Sequence, residues 1–222
     1  MSEPVVIGCT GGIGSGKTYV VKAFEGLGVP GYDSDDRAKR LYDEDPVLLA
    51  EVAGIAGQDV VVGGRLDRKR LAARIFSDAE MLARLEGVVH PAVMRDFCSW
   101  KEKQNTNLVI FESALLLDKP YLRSAVDYVL VVTAPEELRI ERVTLRDNCS
   151  REAVLVRMRH QMGDAIRRQM ADYVIETNDR DAIIPQLLSI IRKWQQMKNG
   201  GSITKNSRIN SRKSRSQISQ KV

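Results

Sequence analysis

Residues Gly11-Gly12-Ile13-Gly14-Ser15-Gly16-Lys17-Thr18 fit the pattern G-x-x-x-x-G-K-[ST], and this stretch constrains the fold more than any other. Before it, Val5-Val6-Ile7-Gly8-Cys9 is an apolar run suited to a buried strand. After it, Val20, Val21, Phe24 and Leu27 recur on one face of a helix predicted over 19–27. A strand, a glycine loop and a helix bring unpaired backbone N–H groups and the positive end of a helix dipole to one point, which favours anions. Glycines let the backbone come close to phosphate oxygens. The stretch therefore predicts a nucleotide site. Lys17 is expected at the β- and γ-phosphates, and the Thr18 hydroxyl at Mg²⁺.

The rest of the chain alternates strands with helices. Leu108-Val109-Ile110-Phe111, Tyr128-Val129-Leu130-Val131-Val132 and Tyr173-Val174-Ile175-Glu176 are continuous apolar runs, as parallel strands covered on both faces require. Helices are predicted from about Asp35 to Tyr42, from Pro46 through Ala53, and from Asp67 through Phe76. Gly54–Gly64 reads as irregular, holding a short apolar piece, Val60-Val61-Val62. Ser77-Asp78-Ala79-Glu80 reads as a capping box that opens a helix to about Val88. His90-Pro91 should break that helix, with a new one continuing towards Lys103. Later helices are expected from Glu136, from Arg151 to Met162, from Asp164 to Met170, and from Asp181 to Met197. The pattern gives an α/β fold with a three-layer parallel sheet. Residues 1–34 and 105–198 form its nucleotide-binding core, with a helical lid at about 139–170. Residues 35–104 form a helical acceptor-binding insertion. Ligands of such sheets bind at the carboxyl ends of the strands, so the loop, Asp33-Ser34-Asp35 and Glu112-Ser113 should converge on one crevice.

Two groups of charged residues have more than one reading. Asp33 and Asp35 are one residue apart. In an extended segment both carboxylates point to one side, as an acceptor base and a ligand of metal-bound water. Alternatively, Asp33 to Asp36 is an N-cap cluster ahead of a helix. Arg139, Arg142 and Arg146 recur on one helix face. They are either a clamp over phosphates or a solvated stripe paired with Glu136, Glu137 and Glu141. His90, before Pro91, either caps or contacts a ligand.

Charge excludes less than it suggests. The net charge is +5, but Lys205, Arg208, Arg212, Lys213, Arg215 and Lys221 all lie in residues 199–222, which hold no acid; without those six the chain stands at −1. The basic character belongs to a tail expected to be disordered, so it does not argue that the body binds nucleic acid. Cys9, Cys98 and Cys149 follow no pairing motif and suit a reducing cytosol. No apolar run approaches the roughly 18 residues a membrane span needs, and Met1-Ser2-Glu3-Pro4 lacks the start of a signal peptide.

Several pieces together resemble the dephospho-coenzyme A kinase family, over residues 5 to about 198. They are Thr10 through Thr18, Asp33-Ser34-Asp35, His90-Pro91, Arg142, Arg146-Asp147 with Ser150-Arg151-Glu152, Gln161-Met162, and Ala171-Asp172-Tyr173-Val174-Ile175 with Asn178. The resemblance implies a P-loop kinase fold and phosphorylation of the ribose 3′-hydroxyl of dephospho-CoA, with ATP as co-substrate and Mg²⁺ as cofactor. It implies that Gly14 to Thr18 and Tyr19 bind ATP and that Asn178 lies near the adenine. Asp35 becomes the leading candidate base, with Asp33 beside it at the acceptor or metal water. Arg142 and Arg146 become lid residues, with Arg139 outside the match and dispensable. His90 falls in the acceptor domain. A cytoplasmic monomer with no membrane or specific nucleic-acid partner is expected. Two departures stand out: Ala114-Leu115-Leu116-Leu117-Asp118 replaces the family's Pro-Leu-Leu-x-Glu, and the basic tail is additional. The runner-up is another small-acceptor kinase of the nucleoside monophosphate kinase type. A non-catalytic nucleotide switch or nucleic-acid-associated ATPase is a third reading.

Overall fold

The structure is a computed structural model that describes residues 3–76, 78–178 and 182–198. The strands are β1 (Val5–Thr10), β2 (Gly31–Asp33), β3 (Val61–Val62), β4 (Arg65–Leu66), β5 (Leu108–Glu112), β6 (Tyr128–Thr133) and β7 (Tyr173–Glu176). Five form one sheet in the order β2-β5-β1-β6-β7, flanked by helices, the α/β architecture the apolar runs require. Two compact units make up the chain: Met1–Cys9 with Val21–Asp127, and Thr10–Val20 with Tyr128–Val222. Helix α1 (Lys17–Gly26) starts in the second and continues in the first.

In the first unit β1 and β2 both pair with β5 in parallel. Cys9, Glu112 and Asp33 share one row at the carboxyl ends of these strands. Around them lie α2 (Ser34–Glu44), α3 (Pro46–Ala56), α4 (Arg68–Phe76), α5 (Ala79–Glu102) and α6 (Pro120–Ser124). Helix α5 packs on α2, α3 and α4. Leu48, Val52, Leu85, Val89 and Phe97 are buried.

Three expectations for this unit need correction. His90-Pro91 does not break the helix: α5 runs unbroken for 24 residues with Pro91 inside. Pro91 supplies no N–H to the Gly87 carbonyl one turn earlier. Leu85 and Val89 before it, and Ala92, Val93 and Phe97 after it, are nevertheless all buried. Packing on both sides outweighs the lost bond. Asp78, rather than the first residue of a capping box, caps α5, accepting from the Met81 N–H at 2.8 Å; Ser77 lies outside the described residues. The stretch 54–64 is not wholly irregular, since β3 and β4 make a two-residue hairpin. Its turn, Gly63-Gly64, has φ of 60° and 77°, which suits glycine at both central positions.

In the second unit β6 and β7 pair in parallel, with α7 (Glu136–Asp147), α8 (Arg151–Arg159), α9 (Asp164–Met170) and α10 (Ile183–Lys198). Ile140 and Val143 of α7 pack on Val154 of α8. Trp194 of α10 meets the ring of Tyr128 edge-on at 4.5 Å. Helix α7 ends at Asn148 in the left-handed conformation, φ 47°. The tail 199–222, expected to be disordered, and Asp181, expected to open the last helix, lie outside the described residues.

Candidate active site

The phosphate loop lies in the second unit, between β1 and α1. Gly14 and Gly16 have φ of 76° and 86°, a conformation that side-chain-bearing residues rarely adopt. Lys17 Nζ donates to the Gly11 carbonyl at 3.0 Å and the Gly12 carbonyl at 3.4 Å, so the side chain folds back over the loop. Ser15 is fully buried, whereas Thr18 and Tyr19 are exposed on the first turn of α1.

The loop is held from three sides. Gln161 Oε1 accepts the Ile13 N–H at 2.9 Å. Arg139 Nε donates to the Ile13 carbonyl at 2.9 Å. Thr177, after the carboxyl end of β7, donates its hydroxyl to the Ser15 carbonyl at 2.7 Å. The same hydroxyl accepts from Arg142 Nη1 at 2.9 Å. Asn178 follows Thr177 directly, so its backbone starts beside the loop.

The three arginines of α7 have different surroundings. Arg139 is buried, with Nη1 on Asp164 Oδ2 at 2.6 Å. Arg139 is therefore not part of a solvated stripe. Arg142 reaches Thr177. Arg146 is largely exposed and grips Asp147 through two bonds, at 2.7 and 3.1 Å. Arg157 also reaches Asp147, at 2.7 Å. Hydrogen bonds from Arg146 and Arg157 lower the Asp147 pKa to about 2.

The carboxylates belong to the first unit. Asp33 is the N-cap of α2: its Oδ1 accepts from the N–H groups of Asp35 and Asp36, both at 3.0 Å. The helix starts at Ser34, so Asp35 sits in its first turn and the two aspartates do not share the side of an extended segment. Asp35 is exposed, and Asp33 lies beside buried Glu112 in register. Asp96 of α5 braces this segment from both flanks, accepting from Tyr32 Oη at 2.7 Å and from Arg37 Nε and Nη2 at 2.9 and 2.8 Å.

His90 lines a cavity of about 510 Å³, with Glu86, Gly87, Pro91, Lys119 and Tyr121 among its walls. The imidazole stacks on the Tyr121 ring at 4.8 Å. Lys119 bonds Glu86 at 2.6 Å. Burial depresses the His90 pKa below 6.5; Glu86 opposes this and Lys119 adds to it. The neutral ring is therefore favoured more than in an ordinary histidine.

Sequence reasoning did not see Arg139, Thr177 and Asp164 as parts of the loop's support, and gave Gln161 no role. Each meets the loop, or a residue that does, across at least 25 positions of sequence. The one available signal was the position of Thr177, just past the carboxyl end of a strand.

The family model described as dephospho-CoA kinase matches residues 5–182. A Porphyromonas gingivalis protein named dephospho-CoA kinase is 40% identical over 188 residues, covering 84% of this chain and 93% of its own. A solved structure from Thermus thermophilus superposes with a TM-score of 0.74 at 36% identity, covering 90% of this chain and all of that one. A dephospho-CoA kinase structure from Campylobacter jejuni shares the fold at a TM-score of 0.64 and 22% identity, covering 87% of this chain and 98% of its own.

Proposed function

The chain belongs to the dephospho-CoA kinase family, and from that membership we propose how its residues divide the work of phosphorylating the ribose 3′-hydroxyl of dephospho-CoA with ATP. A bond forms from the 3′-oxygen to the γ-phosphorus while the bond to the β,γ-bridging oxygen breaks. ADP leaves, and the hydroxyl proton passes to a carboxylate. Such transfer needs positioned cations and dipoles more than covalent chemistry. The observation that carries the reading is the loop itself, with Gly14 and Gly16 at positive φ and Lys17 folded over it.

Residues Gly14 to Thr18 cradle the phosphates, the Ser15 N–H exchanging its 3.2 Å bond to the Gly12 carbonyl for a phosphate oxygen, and Lys17 meets the charge that grows on the β- and γ-oxygens. The Ile13 N–H is committed to Gln161, so Gly12 and Ile13 contribute mainly the shape of the cradle. Arg142 and Arg146 supply guanidinium forks to the phosphates, exchanging their present partners for phosphate oxygens. Tyr19 and Asn178 flank the nucleotide. Asp35, exposed in the first turn of α2, is the base. Asp33 sits beside it at the acceptor or at metal-bound water.

Mg²⁺ fits this donor set. Thr18, exposed at the start of α1, carries a hydroxyl oxygen, a hard ligand of the kind the ion takes beside phosphates and water. When bound, the ion neutralises charge on the β- and γ-oxygens. The cavity beside His90 takes part of the acceptor; its size lies within the range of small-molecule sites, about 300–1,000 Å³. Three free cysteines suit work in the reducing cytoplasm.

The test is ADP release from ATP with dephospho-CoA, AMP or CMP as acceptor, with the product's phosphate position read by NMR. Turnover on dephospho-CoA with a 3′-phosphate product supports the assignment. Preference for AMP or CMP points to the nucleoside monophosphate kinase reading.

A further inference from the structure

Side chains take both the N–H and the carbonyl of Ile13: Gln161 accepts from the first and Arg139 donates to the second, each at 2.9 Å. Both partners are fixed at one place. Gln161 and Asp164 bracket Gly163, the N-cap of α9. Asp164 accepts from Arg139 Nη1 at 2.6 Å, from Arg167 Nη1 at 3.2 Å and from the Thr133 hydroxyl at 3.3 Å. Arg167 is itself buried. The Arg139 guanidinium also lies against Gly12, where an added Cβ would come within 2.8 Å of Cζ. The backbone carbonyl of Arg139 stands 2.5 Å from the Cβ position of Gly14.

We propose that Arg139 is a positioning residue for nucleotide binding. It holds the front of the phosphate loop in its anion-binding shape and takes its own orientation from Asp164 at the α8–α9 junction. The idea rests on the nucleotide-loop reading above and adds a residue to it. The guanidinium suits the task because adjacent N–H groups of one rigid plane reach two acceptors, Ile13 and Asp164, while its flat face fits where Gly12 has no side chain. A lysine ammonium is a single point on a flexible stem. It can satisfy one acceptor, and nothing then fixes the other. A freed Ile13 carbonyl lets the loop sample other shapes, and a phosphate pays for reordering it when it binds.

The experiment uses the full chain and ADP as the probe, so no acceptor chemistry enters. ADP affinity is measured by titration calorimetry for wild type, Arg139→Lys, Gln161→Ala and Asp164→Asn, with the melting temperature of each. Arg139→Lys should raise the ADP Kd and the KM for ATP at least tenfold, with the KM for dephospho-CoA within twofold. Gln161→Ala should shift ADP affinity in the same direction through the other side of Ile13, and it keeps the idea testable if the buried Arg139 variant does not fold. ADP affinity within twofold of wild type in every folded variant, even with lower melting temperatures, overturns the proposal and leaves Arg139 a purely structural ion pair. Wild type that binds ADP but fails to phosphorylate dephospho-CoA defeats the acceptor assignment without touching this one.

Discussion

The Thr177 hydroxyl donates to the Ser15 carbonyl at 2.7 Å and accepts from Arg142 at 2.9 Å, so one oxygen joins the phosphate loop to the middle arginine of α7. Thr177 is buried, with relative exposure of 2%. Thr177→Val keeps the shape and removes both bonds, leaving a buried carbonyl and a guanidinium N–H short of a partner. Such losses cost about 1–3 kcal/mol each. For a chain of this size each kcal/mol lowers the melting temperature by roughly 2–4 °C. We expect a fall of several degrees by calorimetry and a higher KM for ATP. Thr177→Ser, which restores the hydroxyl, should recover most of both. Equal behaviour of the valine and serine variants would deny the hydroxyl its role.

What the sequence made legible was local. The loop is an eight-residue pattern, and the strands β5, β6 and β7 are runs of apolar residues, so both could be read without knowing what they touch. The N-cap at Asp33 was one of two open readings, because a capping cluster and a paired-carboxylate site use the same letters. His90-Pro91 misled because proline's local cost is fixed while the packing that offset it, Leu85 to Phe97, depends on α2, α3 and α4. The burial of Arg139 was hidden for a similar reason. Its spacing matched Arg142 and Arg146, but only tertiary structure shows that it is the buried one of the three.

The two aspartates can be separated by substitutions that split capping from proton transfer. Asp33→Asn keeps an oxygen for the Asp35 and Asp36 N–H groups and removes the charge. Asp33→Ala removes both, and a lost N-cap costs about 1 kcal/mol. Asp35→Asn should leave the melting temperature near wild type and lower kcat by at least a hundredfold, within the range of lost general-base catalysis. Asp33→Asn should match wild type in stability and show an altered Mg²⁺ dependence. If Asp35→Asn keeps a wild-type kcat, Asp35 is not the base.

His90 offers a prediction specific to the acceptor. His90→Ala removes the stacking on Tyr121 and opens the cavity wall. We expect the KM for dephospho-CoA to rise about tenfold, or about 1.4 kcal/mol, with the KM for ATP unchanged. Because burial lowers the imidazole pKa, the pH dependence that His90 gives the acceptor KM should lie at lower pH than an ordinary histidine's would. An effect of the substitution on ATP instead of the acceptor would remove His90 from the acceptor site.

Asp96 gives the fold a signature in acid. Partial burial raises its pKa, but hydrogen bonds from Arg37 and Tyr32 outweigh burial and set it below the ordinary 3.8. A carboxylate depressed in the folded state binds its proton more readily in the unfolded chain. Its stabilisation is therefore full above pH 3.8 and fades as pH falls through the folded-state value. Asp96→Asn keeps the size and an acceptor oxygen but removes the charge that Arg37 grips through Nε and Nη2. At pH 7 the variant should melt lower than wild type. Between pH 5 and pH 3 the wild-type melting temperature should fall more steeply, so that the two curves approach each other. The brace also spans both flanks of the Asp33–Asp36 turn, through Tyr32 before it and Arg37 after it. The variant should therefore lose kcat at pH 7 as well, at unchanged ADP affinity, because a looser turn presents Asp35 less often to the acceptor hydroxyl. Parallel melting curves across that pH range would show that the Asp96 charge adds nothing to stability, and a kcat equal to wild type would show that the turn holds its shape without it.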